Sequence, residues 1–438
     1  METHKHSFLL LLLATVGIVL LCCNSTTVKE KIFKSSPHEK YLRSLRRAGS
    51  KEKALAAAWE EAGRQVFHDS TMLLLPYTET GFFDDAEPQA RGYQFHLHAG
   101  QIVEVSGTVK TEQGAALFAN LFAWEDNKWK EVAFADSGIV LHYETNRDRL
   151  CLLRLQPELL SDVWYTLLIH IQPALINPVK GATNNSIGSF YGNKRDNGAR
   201  AHEGIDIFAP KGTPVVAPTN GIIYNVGTNA LGGKVIWLYD SKRSQTYYFA
   251  HLDSQWVKSS MAIEQGEIIG QVGNTGNAAK TAPHLHFGIY DNGTKDPLYY
   301  VQTMHEIHEA KLDTSFRNRI AKVSTKQSSF HAAPSEHSAV LRIEQKDTYV
   351  KLLSETSSWY RVLLPDMQQA YVHRREIEIV KNGSMITLKH NDTLWSSPLP
   401  NHLPITTLHA SEKLEQLAQY HSYEYVKTSG NYAGWIKR

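Results

Sequence analysis

Six short strand-like runs lie between Tyr93 and Pro173 with turn residues between them, the first of them alternating apolar and polar residues. They are "YQFHLH", "QIVEVSGTV", "AALFANLFAW", "IVLHYE", "CLLRLQ" and "WYTLLIHI". Period two is the signature of a strand with one buried face, and this spacing predicts an antiparallel β-sandwich over 89–177. A second β-rich block, dense in glycine, follows over 178–300. The expected fold class is therefore mainly β. Helical periodicity is confined to "EKALAAAWEEAGRQVF", with a face through Leu55, Trp59, Ala62 and Val66, and to a connecting helix over 301–318.

The last part of the chain repeats itself at an offset of 64 residues without a gap. Pro334 matches Pro398, Leu341 matches Ile405, Leu353 matches Leu417, Val362 matches Val426 and Tyr371 matches Trp435. One copy spans 319–381 and the other 382–438. Each reads as an aromatic-x-x-Val strand, a turn and a second aromatic strand. Both resemble bacterial SH3-like domains, which implies two small barrels. Trp359, Tyr371, Trp395 and Trp435 are read as core aromatics, so no binding role is assigned to them.

Length allows about three domains, and 42% hydrophobic with 21% charged residues is ordinary for folded modules. The net charge is +2 and no Lys/Arg block stands out, which points away from nucleic acid. The first residues point out of the cytoplasm. "SFLLLLLATVGIVLLCCNS" is an apolar run that ends on Cys22-Cys23. It resembles a bacterial lipoprotein signal over 1–23, which implies a lipid on Cys23 and an extracytoplasmic, membrane-anchored chain, periplasmic or outer-membrane associated. Residues 24–88 read as a tether followed by the helical segment. Cys151 then remains as the single cysteine, in an apolar strand, and a disulfide framework is excluded by count.

The tripeptide His-Leu-His occurs twice, at 96–98 and 284–286. On a strand, residues i and i+2 share a face roughly 6–7 Å apart, so two imidazoles can reach one centre. The chain has 21 histidines, so such a pair also arises by chance. Around His96 and His98 no third ligand stands at a useful spacing; they read as solvated strand residues opposite a core face of Phe95 and Leu97. Around His284 and His286 the rest is present. His202 and Asp206 are four apart, with Gly204 between them to let the chain bend, and both residue types are ordinary zinc ligands. His251 ends the aromatic run "TYYFAHL".

"HEGIDIFAPKGTPVVAPTNGII", "YYFAHL" and "GEIIGQVGNTGNAAKTAPHLHFGIY" resemble the successive motifs of the lysostaphin-type zinc peptidases, the M23 or LytM-like family. The resemblance implies an antiparallel β peptidase domain with one Zn²⁺ held by His202, Asp206 and His286. Three protein ligands leave one position for water, which zinc acidifies. It implies His284 as general base and His251 as the partner that stabilises developing charge. Many members carry Glu after "HLHF", where this chain has Gly288. Tyr191 stands too far upstream to take the place of a loop tyrosine found in some members. Arg195 lies where members often have an arginine.

The family cuts short peptides of bacterial peptidoglycan. The expected function is a zinc metalloendopeptidase acting on wall crosslinks, with a D,D bond favoured, and a monomeric chain. Two competing readings are a non-catalytic scaffold that activates another wall hydrolase and a structural lipoprotein that binds the wall through its repeats. The first predicts a lost ligand, yet His202, Asp206, His284 and His286 are all present.

Overall fold

The computed structural model describes residues 35–438, apart from 48–52, 113, 305–309, 314, 316–318 and 401. The signal-like segment with Cys22 and Cys23, and the tether up to residue 34, lie outside the described residues. Strands dominate, as the alternation predicts.

Two helices, Pro37–Arg47 and Lys53–Gln65, pack on the sandwich. The second buries Ala56, Trp59 and Gly63, so its buried face is rotated from the expected one and Leu55 is 38% exposed. The reason is the partner it meets. Trp59 Nε1 donates to the Pro157 carbonyl, and Gln156 donates back to the Trp59 carbonyl at 2.7 Å. Gly63 is the contact point, because a Cβ there would meet the Gln156 side chain. His38 stacks on Trp59 at 4.6 Å and bonds Gln156 Oε1 at 2.7 Å. Burial, and then the Arg154 charge, push the His38 pKa down to about 3. Above pH 6.5 the ring is neutral folded or unfolded, and the docking is at full strength. As pH falls from 6.5 towards 3 the unfolded ring takes a proton that the native ring refuses. At pH 5 the docked helices should have lost about 2 kcal/mol. Hydrogen exchange of the Lys53–Gln65 amides at pH 7.5 and 5.0 measures this, and His38→Gln should flatten the difference. Equal protection at both pH values would contradict it.

Two sheets share one core in this part of the chain. Arg91–Leu97, Arg149–Pro157, Leu117–Glu125 and Lys128–Phe134 make one sheet in that order. Tyr77–Phe83, Val163–Pro173, Gln101–Ser106 and Leu141–Glu144 make the facing one. Tyr93, Phe95, Leu97, Cys151 and Leu153 from the first pack against Val103, Val105, Leu167 and Ile169 from the second. Cys151 is a buried small hydrophobe, as read from its strand. Tyr77–Phe83 lies before the expected boundary at 89, yet it pairs with Val163–Ile169 along its whole length.

That strand carries the second sheet into the first repeat copy, because Thr80 pairs with Glu355 and Gly81 with Ser354. A buried polar cluster closes this seam. The fully buried Glu79 accepts from the hydroxyls of Tyr77, Tyr93, Tyr165 and Ser354. Arg91 donates to the carbonyls of Phe82 and Leu353. A buried charge is tolerable only when its bonds are made, so the two units are joined rather than tethered.

The repeat is visible in the ladders. His331 pairs with Tyr371, and 64 residues on Trp395 pairs with Trp435. Val362 pairs with Ala370, and Val426 with Gly434. Both copies use the same strand order. Trp359, Tyr371 and Trp435 are buried, as a core reading requires, and Trp395 is half-buried.

Residues 187–290 form an antiparallel sheet whose central order is Ile205–Phe208, His284–Tyr290, Gln245–Leu252, Gly233–Asp240 and Gly221–Asn229. One face packs on Ile207, Leu238, Phe249, Leu285 and Phe287. The other is open. Arg243 fastens this unit to the sandwich, with two bonds to Glu144, one to Asp240 and one to the Ala174 carbonyl. His98 joins the same junction, stacked on Tyr299 at 3.9 Å on one side while its side chain stays 39% exposed. His96 is exposed, with Phe95 and Leu97 buried behind it. The helix expected over 301–318 is not found among the described residues. A four-residue helix, Leu298–Val301, ends where it was to begin, and 302–304 and 310–313 lie outside helix and strand. Tyr300 and Val301 are pulled into the core instead.

Candidate metal centre

Two adjacent strands build the centre by register. Asp206 is the direct cross-strand partner of His286, and Phe208 of His284. Directly opposed residues share a face with Cβ atoms about 4.5–5.5 Å apart. His202 enters from the loop just before the Asp206 strand, as expected. His202 Nε2, His286 Nδ1 and Asp206 Oδ1 converge, with separations of 2.9, 3.0 and 3.1 Å. Among the described residues they form the one group of three able to hold a metal ion.

Gly204 sits in a bend, as expected, and has a second purpose. A Cβ there would stand 2.4 Å from the Phe287 carbonyl oxygen and 2.8 Å from His286 Cε1. Glycine is needed because the loop runs against the strand that carries the ligand. Gly204→Ala should displace His286 and weaken metal affinity by at least about tenfold, the scale of losing a ligand's support. Competition with a chelating dye measures it, and an unchanged affinity would contradict the packing argument.

The tautomers are set by backbone carbonyls, which can only accept. His202 Nδ1 donates to Phe190, His251 Nδ1 to Thr275 and His284 Nδ1 to Ala282, at 2.9, 2.9 and 2.8 Å. Each ring therefore turns an unprotonated Nε2 inward. Asp206 Oδ2 accepts from Arg195 at 2.7 Å, which leaves Oδ1 for the centre. Burial alone would raise the Asp206 pKa, but its bonds to His202 and His286 hold it far below the usual carboxylate range. It is an anion at neutral pH. Two imidazole nitrogens and one carboxylate oxygen about 3 Å apart are the donor set and spacing of a tetrahedral zinc site with bonds near 2.0–2.1 Å. The residues fit that ion.

His251 reaches the cleft through a break in the ladder. Ile236 pairs with Phe249, but Lys234 pairs with Leu252, so Ala250 and His251 together face one residue, Val235. This is a β-bulge, and His251 has φ 61° in the left-handed region. On an unbroken strand it would point away from Ala250's side. The bulge turns it inward, with its ring 5.0 Å from that of His284. A non-glycine residue there is strained by roughly 1–3 kcal/mol and persists where its surroundings impose it. Its N–H bonds Gly232 and its ring bonds Thr275. Burial lowers the His251 pKa to about 4.

These side chains line a cleft of about 370 Å³ together with Arg200, Phe208, Leu231, Tyr248 and Asn277. Its lining comes entirely from 189–286, with no residue of the sandwich or repeats. Tyr191 is not among them: its hydroxyl bonds Thr294 at 2.7 Å. Tyr248 was not foreseen. Its signal is its place two residues before Ala250, on the face that meets His286.

Residues 200–297 match the model of peptidase family M23. The chain is similar to the L-Ala–D-Glu endopeptidase of Bacillus subtilis, 39% identical over 125 residues, covering 26% of this chain and 38% of that one. It is also similar to the peptidoglycan DD-endopeptidase ShyC of Vibrio cholerae, 36% identical over 94 residues, covering 22% and 21%. Among solved structures, the lysostaphin catalytic domain from Staphylococcus simulans is 33% identical, covering 26% of this chain and 92% of that one with a TM-score of 0.24. The chain thus spans less than two fifths of the length of these curated relatives.

Proposed function

We propose that this chain is a zinc-dependent endopeptidase that hydrolyses the peptide crosslinks of peptidoglycan, acting outside the cytoplasm from a lipid on Cys23. The observation that carries the reading is the convergence of His202 Nε2, His286 Nδ1 and Asp206 Oδ1 beside two further inward-facing histidines. His202, Asp206 and His286 would hold the ion. When bound, zinc supplies Lewis-acid chemistry, acidifying water and polarising a carbonyl. Arg195 keeps Asp206 oriented. His284, with Nε2 4.0 Å from Asp206 Oδ1, is placed to take a proton from the attacking water and pass it to the leaving amine. His251, when its inward Nε2 carries a proton taken up from solvent before the attack, donates it as a hydrogen bond to the developing oxyanion and keeps it through the step. The open cleft suits an extended peptide with small side chains, and a D,D bond is the one we favour. The C-terminal copies are read as SH3-like modules that hold the wall polymer.

The test is digestion of purified sacculi by the full chain, with products read by mass spectrometry. Crosslinked muropeptides should fall and their monomers rise, a chelator should stop this, and added zinc should restore it. Intact crosslinks with zinc bound would overturn the proposal.

A further inference from the structure

The open face of the peptidase sheet is not the polar surface that an exposed sheet face normally carries. Two cross-strand rows cover it. In one, Trp237 pairs with Tyr248, and Tyr248 with Gly288. In the next, Tyr239 pairs with Thr246, and Thr246 with Tyr290. Their chain neighbours Ile236, Leu238, Tyr247, Phe249, Phe287 and Ile289 are fully buried on the other side, so the aromatic face is surplus to the core. The rings form one surface: Trp237 lies 4.3 Å from Tyr248 and 5.2 Å from Tyr290. Gly288 lets the Glu203 loop approach between Tyr248 and Tyr290: a Cβ there would meet the Glu203 carbonyl at 3.1 Å and Tyr290 Cε2 at 3.2 Å. Tyr239 is 39% exposed, and Ile222, its partner on the outer strand, 51%.

This surface continues the cleft. Tyr248 lines the cleft and stands 5.9 Å from the ring of His286. Neither row carries a charged side chain, from Asn225 to Gly288 or from Ile222 to Tyr290, and the charge that acts on Tyr290 from outside the rows is an anion, Glu203. Stem peptides bear free carboxylates, so aromatic rows that carry no cation and have the Glu203 carboxylate beside Tyr290 do not match them. A neutral pyranose does match, with one apolar C–H face for the rings and hydroxyls for the tyrosine rim. An exposed aromatic patch beside a cleft marks a binding surface.

We propose that Trp237, Tyr239 and Tyr290 form a shelf that binds an N-acetylhexosamine unit of the glycan strand while the attached peptide enters the cleft. This rests on the wall-peptidase reading. The test uses the full zinc-loaded chain and two substrates: crosslinked muropeptides with their sugars, and the same peptides stripped of sugar. Trp237→Ala and Tyr239→Ala should each lower the ratio of kcat/KM values, sugar-bearing over sugar-free, by about tenfold, and Trp237→Phe should keep it. An unchanged ratio overturns the shelf. Binding of peptide-free β-1,4-linked N-acetylhexosamine oligomers, followed by NMR titration, gives a readout that needs no hydrolysis. Wild type should bind and Trp237→Ala should not. Oligomer binding with both substrates uncut would keep the shelf and sink the peptidase reading. Hydrolysis without oligomer binding would do the reverse. If Trp237→Ala disturbs zinc content, Tyr239→Ala, further from the centre, decides. Loss of a dimer or of vesicle binding in these variants, with no sugar effect, would also overturn it.

Discussion

His286→Ala should empty the metal centre and reduce sacculus hydrolysis by at least about 10⁴-fold, with the chain still folded, since the metal supplies several kcal/mol of charge stabilisation. His286 is the hub of the site: its Nδ1 meets both His202 Nε2 and Asp206 Oδ1. Removing it leaves two ligands, and a two-ligand site does not retain zinc against a chelator. Asp206→Ala should act alike, because it removes the anion that offsets the cation's charge. His96→Ala and His98→Ala serve as controls. Neither belongs to a metal-capable group among the described residues, so zinc content should not change. Zinc loss in either, or full activity in His286→Ala, would refute the assignment.

The second large effect separates binding from chemistry. His284→Ala and His251→Ala should each keep one zinc per chain and lower kcat by about 10²–10⁴-fold, the range for a positioned acid–base group or charge stabiliser. Both rings point Nε2 into the cleft, and neither belongs to the converging triad. His284 is the closer of the two to Asp206, at 4.0 Å, so its replacement can nudge the centre. Zinc content measured beside kcat guards against that. Substitution to Gln, which can still donate a hydrogen bond but not accept a proton, should rescue His251 in part and His284 hardly at all. Rescue of His284 but not of His251 would reverse the two roles, and equal rescue would contradict the assignment.

Much of the site was legible because its residue types are specific. Histidines two apart on a strand, a His and Asp four apart, and flanking glycines leave few alternatives. The pairing that makes the centre was not legible. Asp206 faces His286 by ladder register, and register comes from tertiary assembly. His251 was readable as a residue but not in its aim, because an aromatic run does not announce a bulge at Ala250 and His251. The bend at Gly204 was legible, and the gap it leaves for a neighbouring strand was not. Tyr77–Phe83 was placed with the tether because its partners lie far along the chain, in Val163–Pro173 and Tyr349–Glu355. The 64-residue repeat was fully readable, and the seam that joins its first copy to the sandwich was not. Glu79, Tyr93, Tyr165 and Ser354 are each unremarkable alone and meaningful only together.

That seam bears on how the repeats are tested. Cutting the chain at 318 would uncover Phe82 and Trp164, which pack with the first copy, and would take Ser354 from Glu79. A loss of activity after such a cut would report a damaged sandwich as readily as a lost wall contact. Point changes on exposed repeat residues are the cleaner probe.

The most direct measurement of the central claim is zinc K-edge absorption on the purified full chain, with metal content determined on the same sample. One zinc per chain, ligated by two imidazoles and light O/N donors at about 2.0–2.1 Å, and losing imidazole scattering in His202→Ala, is the predicted result. No zinc in the purified chain, or a zinc whose ligation is indifferent to His202, Asp206 and His286, would contradict it.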